Sequence, residues 1–269
     1  MNHAPSADTS QAPVLLEQRG AVAIVTLNRA DNRNSMTPEL LDGFAATIQQ
    51  VRQLEGIRCA VITGKGSCFS AGADFRSVLQ RDRDGRVSGE KSFAMYGPFL
   101  SVLELEVPVI GALQGHAVGG GFGLALTCDL RVAHKGSRYG ANFARVGLHS
   151  GMGISDVLPR LIGVPRALEM LLSGKLVSGA TGADWGLFNY ATEADEVLPK
   201  ALALAEEIAQ AAPIAVRLIK QAVYANLGWN PRQAARREAF EQAATLATED
   251  CREGVAALLE KRPPHFQGR

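Results

Sequence analysis

The stretch from Pro108 to Asp129, PVIGALQGHAVGGGFGLALTCD, limits the fold more than any other part of the chain. Val109-Ile110-Gly111-Ala112-Leu113 is a short apolar run bounded by Pro108 and Gly115, and it predicts a buried strand. Gly119-Gly120-Gly121 follow, and Phe122-Gly123-Leu124-Ala125-Leu126 predicts the start of a buried helix. A strand that turns through glycines into a helix leaves main-chain N–H groups unpaired at the positive end of the helix dipole. Without a Cβ, glycine lets a ligand approach them. An oxygen that gains negative charge during a reaction is stabilised there. The same glycines are equally compatible with nothing more than close strand–helix packing. Neither a GxGxxG dinucleotide fingerprint with its acidic partner nor a GxxxxGK[ST] phosphate loop is present.

A second stretch has the same grammar. Val61-Ile62-Thr63-Gly64-Lys65-Gly66-Ser67-Cys68-Phe69-Ser70-Ala71-Gly72-Ala73-Asp74 reads as a strand, a turn and a small-residue loop leading into a helix. Two such loops can offer one N–H each to a single carbonyl oxygen.

Several function classes find no support. The net charge is +1 and the basic residues are scattered, so there is no electrostatic case for nucleic acid or an anionic membrane. The four cysteines, Cys59, Cys68, Cys128 and Cys251, form no CxxC pair and read as reduced thiols. The five histidines lack HxxxH or HExxH spacing, so no metal site is expected. No apolar run approaches a membrane span, and the N-terminus has no signal-peptide pattern, so a cytoplasmic protein is expected. With 269 residues the chain can bury a sizeable core.

Residues 1–12 are small and polar and read as a disordered tail. Val14–Arg19 and Ala21–Leu27 flank Gly20 as a hairpin. Thr37 as N-cap and Pro38 in the first turn start a helix to about Leu54, with Leu40, Leu41, Phe44, Ile48 and Val51 at helical spacing. Cys59–Thr63 and Leu130–Ala133 are further strands. Residues 76–92 carry mixed charges and suit a mobile surface loop, and Phe93–Glu104 a helix. From about Asp195 the chain turns helical, with candidates at Leu198–Ala212, Ile214–Leu227, Pro231–Ala247 and Cys251–Glu260. Short strands alternating with helices give an α/β chain of ββα-type units. The Ala- and Leu-rich stripes of the C-terminal helices suggest contact between subunits.

LNRADNRNSM at 27–36, GSCFSAGADF at 66–75, GHAVGGG followed by CDLRVA, and EDCREGVAALLEKR at 249–262 together resemble the crotonase (enoyl-CoA hydratase/isomerase) superfamily. The pieces fall in the family's order from about residue 13 to the C-terminus. The resemblance implies a crotonase-like spiral of ββα units over residues 13–195 and a C-terminal α-helical region over 196–269 that assembles trimers or dimers of trimers. It implies an acyl-CoA thioester as the partner, with coenzyme A part of the substrate and no separate cofactor. It also implies that the amides of Ala73 and Gly120 hold the thioester oxygen. Arg33, Ser35, Ala71, Gly72, Asp74 and Phe75 are implied as substrate-binding, with Gly119, Phe143 and Lys261, the last reaching a CoA phosphate.

The sequence departs from the family where hydratases carry two glutamates: those positions are Gly123 and Phe143. Neither side chain transfers a proton, so ordinary hydration loses its acid and base. His149 is the candidate stand-in base, since imidazole titrates near neutrality; a hydrogen-bonded loop histidine is the alternative. Asn142, Ser150 and Tyr139 are further polar candidates. The reactions left open are hydration or isomerisation with a different acid/base set, decarboxylation, thioester hydrolysis, and acyl-CoA binding without turnover.

Overall fold

The apolar strands of this chain are buried on both faces, and their side chains alternate between two cores. In β3, Cys59–Gly64, the side chains of Ala60 and Ile62 enter the larger core, while Cys59 and Val61 enter a smaller one. The same alternation runs through β2, Val22–Leu27, and β5, Val109–Leu113. A strand covered on both faces reads as continuous apolar sequence, which is why these runs lack a polar face. In the computed structural model, which describes residues 11–73, 88–228 and 230–269, these strands belong to a six-stranded sheet ordered β1-β2-β3-β5-β7-β10. It contains β1, Val14–Arg19; β7, Leu130–His134; and β10, Tyr190–Thr192. Only the β1–β2 hairpin is antiparallel there; Val14 faces Leu27 and Arg19 faces Val22 across the turn at Gly20.

A second, four-stranded sheet runs β4-β6-β8-β9, from β4, Cys68–Ser70; β6, His116–Val118; β8, Arg138–Gly140; and β9, Val177–Ser178. Successive units place one strand in each sheet before the chain turns away: β3 then β4, β5 then β6, β7 then β8. That is the ββ repetition expected from the strand spacing, coiled so that equivalent strands lie side by side.

The helices are α1, Pro38–Gln53; α2, Gly89–Leu100; α3, Gly120–Thr127; α4, Ile154–Ile162; α5, Val164–Ser173; α6, Gly179–Asp184; α7, Val197–Gln210; α8, Pro213–Asn226; α9, Pro231–Leu246; and α10, Glu249–Glu260. Thr37 caps α1, its hydroxyl accepting from Leu40 N, as its sequence suggests. Two expectations shift. The helix placed at Phe93 starts at Gly89, because the Ser88 hydroxyl accepts from Glu90 N and caps it there. Between the strand at 109–113 and the glycine helix, the three-residue β6 intervenes. Residues 76–87 of the expected loop lie outside the described residues, as do 74–75 and 1–10.

The four C-terminal helices play different parts. Val197, Ala201, Leu202 and Ala205 of α7 cover the sheet and close the smaller core. Helix α9 packs along α2 through Ala235 and Ala239. Helix α8 has no buried residue; Ile214, Leu218, Ile219 and Val223 are exposed on it. It is tied to the body by Lys220 Nζ, which donates to Leu105 O and Val107 O and pairs with Asp129 at 2.8 Å. The Tyr224 hydroxyl donates to the same carboxylate at 2.6 Å.

Candidate functional site

The two glycine loops meet because the 28–37 loop is stitched to the 66–73 loop. Asn34 is fully buried; its Nδ2 donates to Lys65 O and Cys68 O, and its Oδ1 accepts from Arg29 N at 2.8 Å. The Ser70 hydroxyl donates to Asn34 O, Ala71 N to Arg33 O, and Met36 N to Gly72 O. These bonds fix the chain at Ala73, which pairs as an isolated bridge with Met36. Gly72 has φ +79°, and a Cβ there would stand 2.5 Å from Val118 O and 2.9 Å from Gly120 N. The backbone before Ala73 therefore touches the backbone at the start of α3, an approach open only to glycine.

Gly120 is the first residue of α3, and the amide before it is already engaged, Gly119 N donating to Gly140 O at 3.0 Å. The N–H groups of Ala73 and Gly120 donate to no oxygen among the described residues. Both residues border one small cavity, about 30 Å³. Its walls are the apolar side chains of Met36, Met95, Leu148 and Leu246, together with Phe143. Tyr96 and Gln242 are the polar side chains among its described lining. Gly120 N lies at the N-terminus of α3 and Ala73 N on the adjoining loop, both bordering a mostly apolar space; an amide at a helix N-terminus suits an oxygen acquiring negative charge.

Gly123 and Phe143 are both closely packed. A Cβ on Gly123 would lie 2.4 Å from the Cβ of Met152, whose side chain occupies that side of α3. Phe143 begins a short 3-10 turn, and its Cζ would stand 3.6 Å from a Cβ at Gly119. No carboxylate is among the described residues lining the cavity. The buried Glu238 of α9 lies nearby, but its oxygens accept from Gly153 N at 2.6 Å and Ser155 N at 2.8 Å, capping α4.

The structure places His149 outside this cavity lining. Its Nδ1 lies 2.7 Å from Ser150 O and its Nε2 3.8 Å from Glu241, on a partly exposed surface. That is the hydrogen-bonded loop histidine of the alternative reading. Its backbone serves the site instead, since His149 O accepts from Gln242 Nε2. Tyr139 is engaged with Leu113 O and His134, and burial pushes its phenol above the usual range. Arg33 and Ser35 lie on the stitched loop; the Ser35 hydroxyl donates to Asn32 O. Ala71, Gly72, Gly119 and Phe143 adjoin the two amides as described. Lys261 is exposed at the C-terminal cap of α10 in a left-handed conformation. Asp74 and Phe75 fall outside the described residues. The sequence reading missed Tyr96 and Gln242.

A larger open groove of about 340 Å³ runs past Glu104, Lys220 and Tyr224, away from both glycine loops. Its charges are matched internally: Glu104 pairs with Arg52 and Arg232, and Lys220 with Asp129. Among the described residues no group of His, Cys, Asp and Glu is arranged to hold a metal ion, and no helix is long and apolar enough to cross a membrane.

The profile described as Enoyl-CoA hydratase/isomerase matches residues 17–269. The putative enoyl-CoA hydratase of Thermus thermophilus is 35% identical over 93% of this chain and 98% of its own length. The (E)-benzylidenesuccinyl-CoA hydratase of Thauera aromatica is 33% identical, covering 95% of this chain and 99% of the relative. Among solved structures, a carnitinyl-CoA dehydratase from Mycobacterium avium superposes with a TM-score of 0.82 at 33% identity, over 96% of this chain and 99% of that one. The two-sheet spiral is thus the crotonase fold, and the chain belongs to the enoyl-CoA hydratase/isomerase family, whose acyl-CoA-processing character it shares.

Proposed function

We propose that this enzyme binds an acyl-CoA thioester with its carbonyl oxygen between the amides of Ala73 and Gly120, and that it works through a thioester enolate without a carboxylate acid or base. The observation that supports the reading is the cavity itself: two amides that donate to no oxygen among the described residues border it, and no carboxylate is among its described lining. Hydration and double-bond migration require a positioned base. Loss of a group from the α-carbon does not; decarboxylation is the simplest case, because the departing bond supplies the electron pair. An oxyanion donor of this kind contributes about 2.7–4 kcal/mol in acyl transfer.

In this reading coenzyme A enters as part of the substrate, along Arg33, Ser35 and the 71–75 segment, with Lys261 toward its phosphates. Residues 13–195 carry the site, and residues 196–269 complete it and join copies into trimers or paired trimers in the cytoplasm. The exposed apolar strip on α8 supports the assembly.

The test is product analysis by mass spectrometry after incubation with crotonyl-, methylmalonyl- and aryl-CoA thioesters. Decarboxylated product with little hydration of crotonyl-CoA is expected; brisk hydration of crotonyl-CoA overturns the reading. The absence of a carboxylate from the described lining also favours a second reading, a silent acyl-CoA-binding protein. Tight binding in calorimetry with no turnover of any thioester selects it.

A further inference from the structure

An enolate has to be quenched as well as held: a proton must reach its carbon before product leaves. Gly123 and Phe143 cannot supply it. Among the described side chains bordering the cavity, Tyr96 alone carries an acidic proton; the rest are thioethers, hydrocarbons and the Gln242 carboxamide. We infer that Tyr96 is the general acid of this site and delivers its phenolic proton to the α-carbon of the enolate. This rests on the enolate reading above and adds the group that ends the intermediate's life.

The placement of the phenol is fixed by its neighbours. Tyr96 sits on α2 and is 2% exposed. Its hydroxyl donates to Gln242 Oε1 on α9, and Gln242 Nε2 donates to His149 O at 3.0 Å. The carboxamide is thereby locked by main chain, with its oxygen turned toward the phenol. Gly151 leaves the hydroxyl its room: a Cβ there would stand 2.3 Å from the Tyr96 oxygen. The cavity joining Tyr96 to both amides is about 30 Å³. Tyr96, Ala73 and Gly120 thus border one and the same space. Burial, reinforced by the charge of Glu238, holds the phenol above its ordinary range. It stays protonated at neutral pH and serves as donor, not base.

The step balances without a co-reactant. The bond from the α-carbon to the carboxylate breaks, and its electron pair enters the enolate, whose oxygen charge rests on Ala73 N and Gly120 N. Carbon dioxide leaves. The Tyr96 O–H bond then breaks, its proton joins the α-carbon, and the thioester carbonyl re-forms. Solvent restores the phenol.

The experiment uses the full chain with methylmalonyl-CoA in D2O. Wild type is expected to yield propionyl-CoA deuterated on one face. Tyr96→Phe should lower kcat by about 10²–10⁴-fold, the usual range for losing a general acid. Its KM should change little, and its residual product should carry label on both faces. Gly151→Ala keeps the phenol but displaces it, and should lose face selectivity as well. Calorimetric binding of butyryl-CoA checks that each variant retains its site; Tyr96→Phe with Gln242→Met removes both partners and serves if the single variant folds poorly. Unchanged kcat and single-face labelling in Tyr96→Phe overturn the inference alone. A wild type silent on methylmalonyl-CoA and every other thioester overturns the enolate reading, and the inference with it.

Discussion

Gly72 lies so close to Gly120 that a methyl group on the first would stand 2.9 Å from the amide nitrogen of the second. With φ at +79°, Gly72 also occupies a region that other residues enter at a cost of about 1–2 kcal/mol. Overpacking against Val118 O adds about 1–3 kcal/mol. Gly72→Ala should therefore lower stability by the sum of these effects in urea unfolding. It should weaken butyryl-CoA binding out of proportion to its small size, because relief of the clash moves the Ala73 and Gly120 amides apart.

Placing carboxylates at Gly123 and Phe143 is a packing problem before it is a chemical one. Gly123→Glu alone drives its Cβ into Met152 and should destabilise the chain by about 1–3 kcal/mol without adding activity. Met152 itself has φ +66°, a conformation that suits glycine. The triple variant Gly123→Glu, Phe143→Glu, Met152→Gly makes room and relieves that strain. Slow hydration of crotonyl-CoA, followed by loss of enoyl absorbance, is expected in the triple variant and not in Gly123→Glu alone.

Much of this was legible from local pattern. The glycine runs at 64–72 and 119–121, the hairpin around Gly20 and the Thr37 cap each announce themselves within a few residues. The pairing of Tyr96 with Gln242 spans 146 residues and arises from the packing of α2 on α9, which no local spacing encodes. The direction of His149 was hidden for the same reason: Thr245 Oγ1 and Gln242 Nε2 grip its backbone and leave the ring against Ser150 O. Strand β6 escaped notice because three residues are too few to show a period.

Glu238 and Gln242 stand one turn apart on α9, and the first supports the wall that the second lines. Each charge-assisted bond that the Glu238 carboxylate accepts from Gly153 N and Ser155 N contributes about 1.5–3 kcal/mol. Glu238→Ala should lower the calorimetric Tm markedly, with Glu238→Gln in between. Both variants should loosen the 149–153 loop, seen as faster amide exchange there.

Burial pushes the thiols of Cys59 and Cys128 up to about 12 and that of Cys68 to about 11, from an ordinary 9.0. Above pH 9 the unfolded chain loses these protons while the folded chain keeps them, so unfolding is favoured. Stability should fall as pH rises from about 9 toward 12, measurable by urea titration at each pH. Replacing Cys59 by alanine should flatten the decline even where it lowers stability at pH 7. At pH 8 the native thiols should react slowly with a disulfide reagent, and rapidly once urea unfolds the chain.

In the proposed site the donors to the thioester oxygen belong to the peptide backbone, so proline alone among substitutions removes one outright; any other can only bend the path that presents them. Side chains around the cavity can then change while the proposed grip on the thioester persists. A chain built this way can abandon one reaction and acquire another without passing through an ancestor that no longer holds its substrate.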